Sequence, residues 1–164
     1  MNWTGAVRTV LVCAILIVLH YTLRPLLAWR ASVDFLIVAL LLGSVRLRPG
    51  AAAVYGFLLG LVADSLAASG FGAAALAMSV VAFAASWLKA VFFADNLALN
   101  GFFLFLAKWA FDLIYLIVGH RASGGGTELV MQIFVWSPLS AAVTAVAGVI
   151  ALSLLKPLME PRAA

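Results

Sequence analysis

Of the 164 residues, 66% are hydrophobic and only 10% are charged, so the chain carries more apolar surface than a soluble fold of this length can bury. About six membrane-spanning helices of roughly 20 residues each account for most of the chain, which excludes an additional soluble catalytic or nucleotide-binding domain. The formal charge of +4 does not indicate nucleic-acid binding, because the ten basic residues are scattered rather than grouped in a run.

Apolar runs separated by short breaks predict an all-α polytopic membrane helix bundle of about six transmembrane helices, forming a single domain over residues 1–164. The breaks contain proline, glycine or charged residues, which disfavour a continued helix. The second span has its uninterrupted apolar part only after Asp34, so we expect it to be short, tilted or partly interfacial. The predicted spans are 7–23, 26–45, 51–68, 71–93, 97–118 and 129–155.

Basic residues at the ends of the spans predict the orientation of the bundle, since cytoplasmic loops carry an excess of lysine and arginine. With six spans and a cytoplasmic N-terminus, the outer flanks hold only Arg24, Arg30 and Arg121. We therefore predict a multi-pass protein of the bacterial inner membrane with both termini in the cytoplasm. The predicted inner flanks hold Arg8, Arg46, Arg48, Lys89, Lys156 and Arg162.

A charged pair is predicted at the outer start of the second span. Asp34 lies near the positive end of that helix dipole, and Arg30 precedes it by four residues. The expected role of Arg30 and Asp34 is structural.

Two glycines and an aspartate form a stripe along the third predicted span. Gly56, Gly60 and Asp64 are spaced by four residues, which places them on one helix face. Because glycine lets a neighbouring backbone approach closely, the stripe predicts a helix-packing face. Two interpretations stay open: the face binds a partner protein, or it packs within the chain.

A buried charge cluster is predicted from Asp64, Lys108 and Asp112. Lys108 and Asp112 share a helix face, and Asp64 and Lys108 both lie about 17 Å along spans that run in the same direction. The cluster is either an ionic clasp between helices or a proton or ion relay. A clasp predicts that Asp64→Asn is milder than Asp64→Ala, since an amide still accepts a hydrogen bond from Lys108.

No catalytic, metal-binding or cofactor-binding residues are predicted. The serines lack a histidine and a carboxylate in a recognisable motif, and nothing like His-x-x-Glu-His occurs. His20 and His120 lie near span ends and are expected to be interfacial. Pro138 lies inside the last span and predicts a kink.

The middle third of the chain resembles the family of rod shape-determining protein MreD. The stretches that carry the resemblance are Ser32-Val-Asp34-Phe-Leu through Arg46-Leu-Arg48, Gly56-Phe-Leu-Leu-Gly60-Leu-Val-Ala-Asp64-Ser65, and Ser69-Gly70-Phe-Gly72. One departure is Val33, which stands where that family usually has proline.

The resemblance implies a non-enzymatic component of the machinery that inserts peptidoglycan along the lateral wall. The expected direct partner is MreC, with indirect links to the MreB filament, to RodA and to its transpeptidase partner. The family is also similar in fold to the substrate-binding subunits of energy-coupling-factor transporters, so a vitamin-binding or other small-molecule-binding subunit is the alternative. That alternative needs a pocket of convergent polar groups, and few polar side chains are expected in the outer half of this bundle.

Overall fold

The computed structural model describes residues 3–23, 33–66, 71–88, 97–119 and 130–159. Within these ranges the chain is helical apart from short turns and contains no strand, which confirms the predicted all-helical class. A short π-helical segment, the π turn, precedes the last α-helix. The elements are α1 (Trp3–Leu23), α2 (Phe35–Ser44), α3 (Pro49–Ser65), α4 (Ala73–Trp87), α5 (Leu97–Gly119), the π turn (Gln132–Trp136) and α6 (Ser137–Met159).

The shortest helix, α2, lies at the centre of the bundle. Its ten residues give it a length of only about 15 Å, at about 1.5 Å per residue. Every residue from Leu36 to Ser44 is buried, and α2 packs on each of the other five helices. A helix that is apolar on all sides belongs in an interior. The second predicted span is therefore represented by a short, buried helix, and residues 26–32 of that span lie outside the described residues.

One backbone carbonyl group of α2 accepts hydrogen bonds from two other helices. The Ala39 oxygen accepts hydrogen bonds from the Cys13 thiol of α1, at 3.6 Å, and from the Tyr55 hydroxyl of α3, at 3.2 Å. The Tyr55 ring packs directly on Gly43, where an added Cβ would lie 2.6 Å from a ring carbon. Glycine at position 43 thus makes the room that the ring needs to reach α2.

The helices α3 and α4 form a closely packed antiparallel hairpin. Two serines of α4 donate hydrogen bonds to backbone oxygens that precede or belong to α3. Ser79 reaches Ala53 at 3.0 Å and Ser86 reaches Leu47 at 2.7 Å. Such hydroxyl-to-carbonyl bonds require close backbones, which small residues permit.

The π turn interrupts the helical run close to the proline that predicts a kink. It spans Gln132–Trp136, and Pro138 follows it as the second residue of α6, where it has no N–H to donate to the preceding turn. A π-helical insertion is one of the known causes of irregularity in a helix. The Trp109 indole of α5 donates to the Ile133 carbonyl of this turn at 3.5 Å.

Within the described ranges, two helical stretches are long and apolar enough to cross a membrane, Ala98–Gly119 and Gln132–Ala151. The apolar helices Val10–Thr22, Phe35–Ser44, Pro49–Ser65 and Ala73–Trp87 are shorter. Large apolar side chains also face outward from several helices, among them Val10, Leu58, Val80 and Phe102. Outward apolar side chains of this kind suit a lipid environment.

Candidate functional site

Lys108 lies between two carboxylates in the interior of the bundle. Its ammonium nitrogen is 3.2 Å from Asp34 Oδ2 and 2.5 Å from Asp112 Oδ1, and the residue is only 6% exposed. The ammonium group also lies 5.1 Å from the centre of the Phe111 ring, a favourable cation–π distance. Asp34, Lys108 and Asp112 form a unit that we call the ion cluster.

Further polar groups connect the ion cluster to α1 and α6. His20 Nδ1 of α1 lies 3.4 Å from Asp34 Oδ1. In α6, the Ser137 hydroxyl donates to Asp112 Oδ2 at 3.0 Å, and the Thr144 hydroxyl accepts the Asp34 backbone N–H at 3.1 Å. The ion cluster and these contacts therefore join α1, the start of α2, α5 and α6.

The structure corrects the predicted membership of the charge cluster. Lys108 and Asp112 are paired, as their spacing indicates, but the second carboxylate on Lys108 is Asp34 and not Asp64. Equal depth along two helices does not bring side chains together, because the helix faces must also point toward each other. The prediction that Asp64 joins Lys108 is wrong.

Asp64 instead caps the N-terminus of α4. Its carboxylate accepts three backbone N–H groups at 3.0–3.1 Å, those of Gly72, Ala74 and Ala75. The first N–H groups of a helix have no partner within the helix, and the helix dipole favours a negative charge there. The cap explains how a carboxylate that is only 2% exposed is tolerated. Gly72, with φ of +97°, supplies the left-handed turn that aims these amides at Asp64.

Asp34 caps its own helix and also contacts Lys108 in the ion cluster. Its Oδ1 accepts the Leu36 N–H at 3.2 Å, which matches the expectation that the carboxylate interacts with the start of the second helix. Arg30, its predicted partner, lies outside the described residues. Lys108, more than 70 residues away along the chain, contacts Asp34 instead.

The glycine stripe packs within the chain, against α4. A Cβ added at Gly56 would collide with the Met78 carbonyl oxygen and would lie 2.7 Å from Ala82 Cβ. A Cβ at Gly60 would collide with the Ala75 backbone. Of the two open interpretations, the structure shows the internal one, and this face is not available to a partner protein.

A cavity of about 270 Å³ lies beside the ion cluster. Its residues come from the ends of α1 and α3, the second half of α5, the π turn and the beginnings of α2, α4 and α6, so it lies toward one end of the bundle. This end of the bundle is rich in polar side chains. The wall includes His20, Asp34, Asp64, Lys108, Asp112 and Ser137.

Sequence reasoning missed several residues that the structure brings to this site. His20, in the last turn of α1, is 5% exposed and lies 3.4 Å from Asp34; its interfacial depth stays a prediction, and His120 lies outside the described residues. Thr144 and Ser137 lie in an apolar run with no local signal of their role. The one available signal was His20 itself, because a histidine in an apolar span needs a polar partner.

The all-helical fold, its outward apolar side chains and its buried, paired charges fit a helical membrane protein. The family model for rod shape-determining protein MreD matches residues 3–160 of the chain. The chain belongs to this family, which confirms the resemblance drawn from its motifs. Membership implies a role in determining rod shape, in a membrane-associated family that is structural and generally not enzymatic. A search of curated proteins and a search of solved structures each found no match.

Proposed function

We propose that this protein is a non-enzymatic membrane scaffold of the bacterial cell-elongation machinery and that it binds MreC directly. The observation that carries the proposal is the family match over residues 3–160. Through MreC, the scaffold is linked indirectly to the MreB filament, to RodA and to its transpeptidase partner. In this role the protein supports rod shape and lateral peptidoglycan synthesis by holding its partners in a fixed orientation.

The buried charges support a structural role for the interior. In the ion cluster, Lys108 pairs with one carboxylate of its own helix and with one at the start of α2. Removing one member of such a buried pair is strongly destabilising, which makes the cluster a clasp between helices. The sequence left two alternatives for the charge cluster, an ionic clasp between helices and a proton or ion relay. We propose the clasp, in which Asp34 takes the position predicted for Asp64.

The proposed scaffold crosses the bacterial inner membrane six times and has both termini in the cytoplasm. The excess of basic residues at the predicted inner flanks supports this orientation. With that topology, the cavity lies in the outer half of the bundle, because α1, α3 and α5 end there. The short α2 then contributes only part of the second span.

The partner surface is distinct from the glycine stripe, since α4 covers Gly56 and Gly60. Partner helices must instead contact the outward side chains of the bundle, where packing drives association in lipid. The stripe contributes indirectly, because it sets the distance between α3 and α4.

Co-purification tests the scaffold proposal. The tagged chain is extracted from its native membrane in mild detergent, and the bound proteins are identified by mass spectrometry. We expect MreC and the wall synthases with the wild-type chain and with the matched control Gly50→Leu, because a Cβ at Gly50 has no atom within 4 Å. Gly60→Leu should reduce MreC recovery by distorting the hairpin. Absence of MreC from the wild-type sample contradicts the proposal.

A substrate-binding membrane subunit of a vitamin or small-molecule transporter is the second candidate. The polar cavity at one end of the bundle favours it, since such a subunit needs convergent polar groups around a pocket. Recovery of an ATPase pair and a coupling membrane subunit, without wall enzymes, is the result that this candidate predicts in the same experiment.

A further inference from the structure

We propose that the outward face of the α3–α4 hairpin binds a lipid annulus thinner than an ordinary bilayer, made of phospholipids with short acyl chains. The inference rests on the lengths of the helices and on the contacts that fix both ends of the hairpin. It requires the bundle to lie in a membrane, but it does not depend on the scaffold role or on any protein partner.

The first argument is the length of the hairpin. Helix α3 has 17 residues and α4 has 15, which correspond to about 25 Å and about 22 Å at about 1.5 Å per residue. All four helix ends lie within the described residues, with caps at Arg48 and Leu66 for α3 and at Gly72 and Leu88 for α4. Because the hydrocarbon core of a typical bilayer is about 30 Å thick, the hairpin is shorter than that core by about 5 Å or more, even without tilt.

The second argument is that hydrogen bonds hold the two ends of the hairpin level. At one end, the Asp64 carboxylate of α3 accepts N–H groups at the start of α4. At the other end, the Ser86 hydroxyl of α4 donates to the Leu47 carbonyl just before α3, at 2.7 Å. Between these ends, Gly56 and Gly60 hold the two backbones in contact. The helices cannot slide past each other without breaking these contacts, so the hairpin cannot lengthen to match a thicker bilayer.

The third argument is that the hairpin carries large apolar side chains along its outward face. At one end of this face, Trp87 is 75% exposed in the last turn of α4, and Arg48 is exposed where α3 begins. An aromatic ring and a cation that complements lipid phosphates both suit the level of the head groups. The exposed apolar side chains that follow from there toward the other end are Val54, Phe57, Leu58 and Val62 of α3 and Phe83, Val80 and Leu76 of α4.

The helices α5 and α6 contrast with the hairpin in length. The apolar stretches Ala98–Gly119 and Gln132–Ala151 hold 22 and 20 residues, or about 33 Å and about 30 Å. One part of the molecule thus matches a typical bilayer, whereas the hairpin is too short for it. A short apolar element thins the bilayer around it at a cost that grows with the mismatch. Lipids with short acyl chains lower this cost, and they are therefore the occupants that the hairpin face favours.

A lipid series on the purified wild-type protein tests the inference. The chain is reconstituted into vesicles of dimyristoleoyl, dipalmitoleoyl, dioleoyl or dierucoyl phosphatidylcholine, whose acyl chains lengthen in that order. Thermal unfolding is followed by circular dichroism. We expect the highest Tm in one of the two shorter lipids and a fall from there through dioleoyl to dierucoyl vesicles. A maximum in dioleoyl or dierucoyl vesicles, or an equal Tm in all four, overturns the proposal.

Fluorescence quenching identifies the face that selects the short lipid. In a chain whose natural tryptophans are replaced by phenylalanine, a single reporter is placed on the hairpin, as Val80→Trp, or on α5, as Phe102→Trp. The two positions are 48% and 61% exposed. Brominated dipalmitoleoyl and dierucoyl lipids compete for contact with each reporter. We expect Val80→Trp to report a preference for the shorter lipid of about twofold or more, and a stronger one than Phe102→Trp reports.

An equal preference at both reporters contradicts the assignment to the hairpin. The wild-type lipid series needs no variant, so it decides the proposal even if the chain without its natural tryptophans does not fold. Neither measurement involves MreC, so failure here is distinguishable from failure of the scaffold proposal.

Discussion

Asp64 shows how a single carboxylate can be satisfied by backbone alone. The three N–H groups that it accepts belong to the beginning of α4, so its charge is stabilised by the helix terminus and not by a lysine. An asparagine at this position offers one acceptor oxygen, and its amide nitrogen would face other donors. The geometry therefore reverses the expectation that asparagine is a mild replacement.

We predict that Asp64→Asn and Asp64→Ala both lower the free energy of unfolding by about 1.5–3 kcal/mol, the range for hydrogen bonds to a charged group. Unfolding in mixed detergent micelles measures the effect. Ser65→Ala is the matched control, because the Ser65 hydroxyl is exposed and bonds only to Val62 of its own helix. A loss below about 0.5 kcal/mol in both Asp64 variants, the usual range for surface changes, contradicts the capping role.

Lys108 lies between the part-buried carboxylates of Asp34 and Asp112, so its removal takes a cationic contact away from each of them. We predict that Lys108→Met destabilises the protein by about 3–5 kcal/mol. Adding Asp112→Asn to Lys108→Met should recover part of that loss, because one uncompensated carboxylate is then removed. A double-mutant cycle in detergent measures the coupling between Lys108 and Asp112. Additive effects contradict the proposed clasp.

At the scale of elements, α3 carries a matched series of glycines. Gly56 and Gly60 touch the backbone of α4, whereas Gly50 faces open space. We predict that Gly56→Ala and Gly60→Ala each destabilise the protein by about 1–3 kcal/mol through overpacking. Gly50→Ala should be neutral or stabilising by up to about 1 kcal/mol, the difference in helix propensity. Thermal unfolding of the three variants is the measurement, and equal effects would falsify the close-packing interpretation.

The central position of α2 gives a second prediction at this scale. Leu40 is fully buried, so Leu40→Ala should cost about 2–5 kcal/mol through the cavity that it leaves. Leu58 of α3 is 56% exposed on the outer surface. Leu58→Ala should have little effect on stability in a membrane, because lipid tails are as apolar as leucine. Similar losses for both leucines contradict the interior placement of α2.

At the scale of the whole molecule, the alternation of helix directions puts the cavity at one end of the bundle. If both termini are cytoplasmic, a reporter that is active only in the cytoplasm should be active at either terminus. The same reporter placed in the glycine-rich segment 123–126 should be inactive, because that segment then follows an inside-to-outside helix. Activity at 123–126 contradicts the six-span topology.

The candidate site was only partly predictable from the sequence. The pairing of Lys108 with Asp112 follows from a spacing of four residues on one helix, and the caps at Asp34 and the close approach at Gly60 also have local signals. The contacts of Lys108 with Asp34, and of Asp34 with Thr144, join residues 74 and 110 positions apart. No local pattern encodes contacts of that kind, because they depend on which helix faces meet.

The sequence by itself determined the helical class and the family, because hydropathy, glycine and proline act within a few residues. Only the tertiary structure decided that the short α2 lies at the centre, that Asp64 caps α4, and that His20 and Asp34 meet Lys108. The physical reason is that apolar helices share similar sequence patterns, and these patterns do not indicate which helix faces pack together. Their rotation and order are set by glycine contacts and polar bonds between helices, and these exist only once the bundle is assembled.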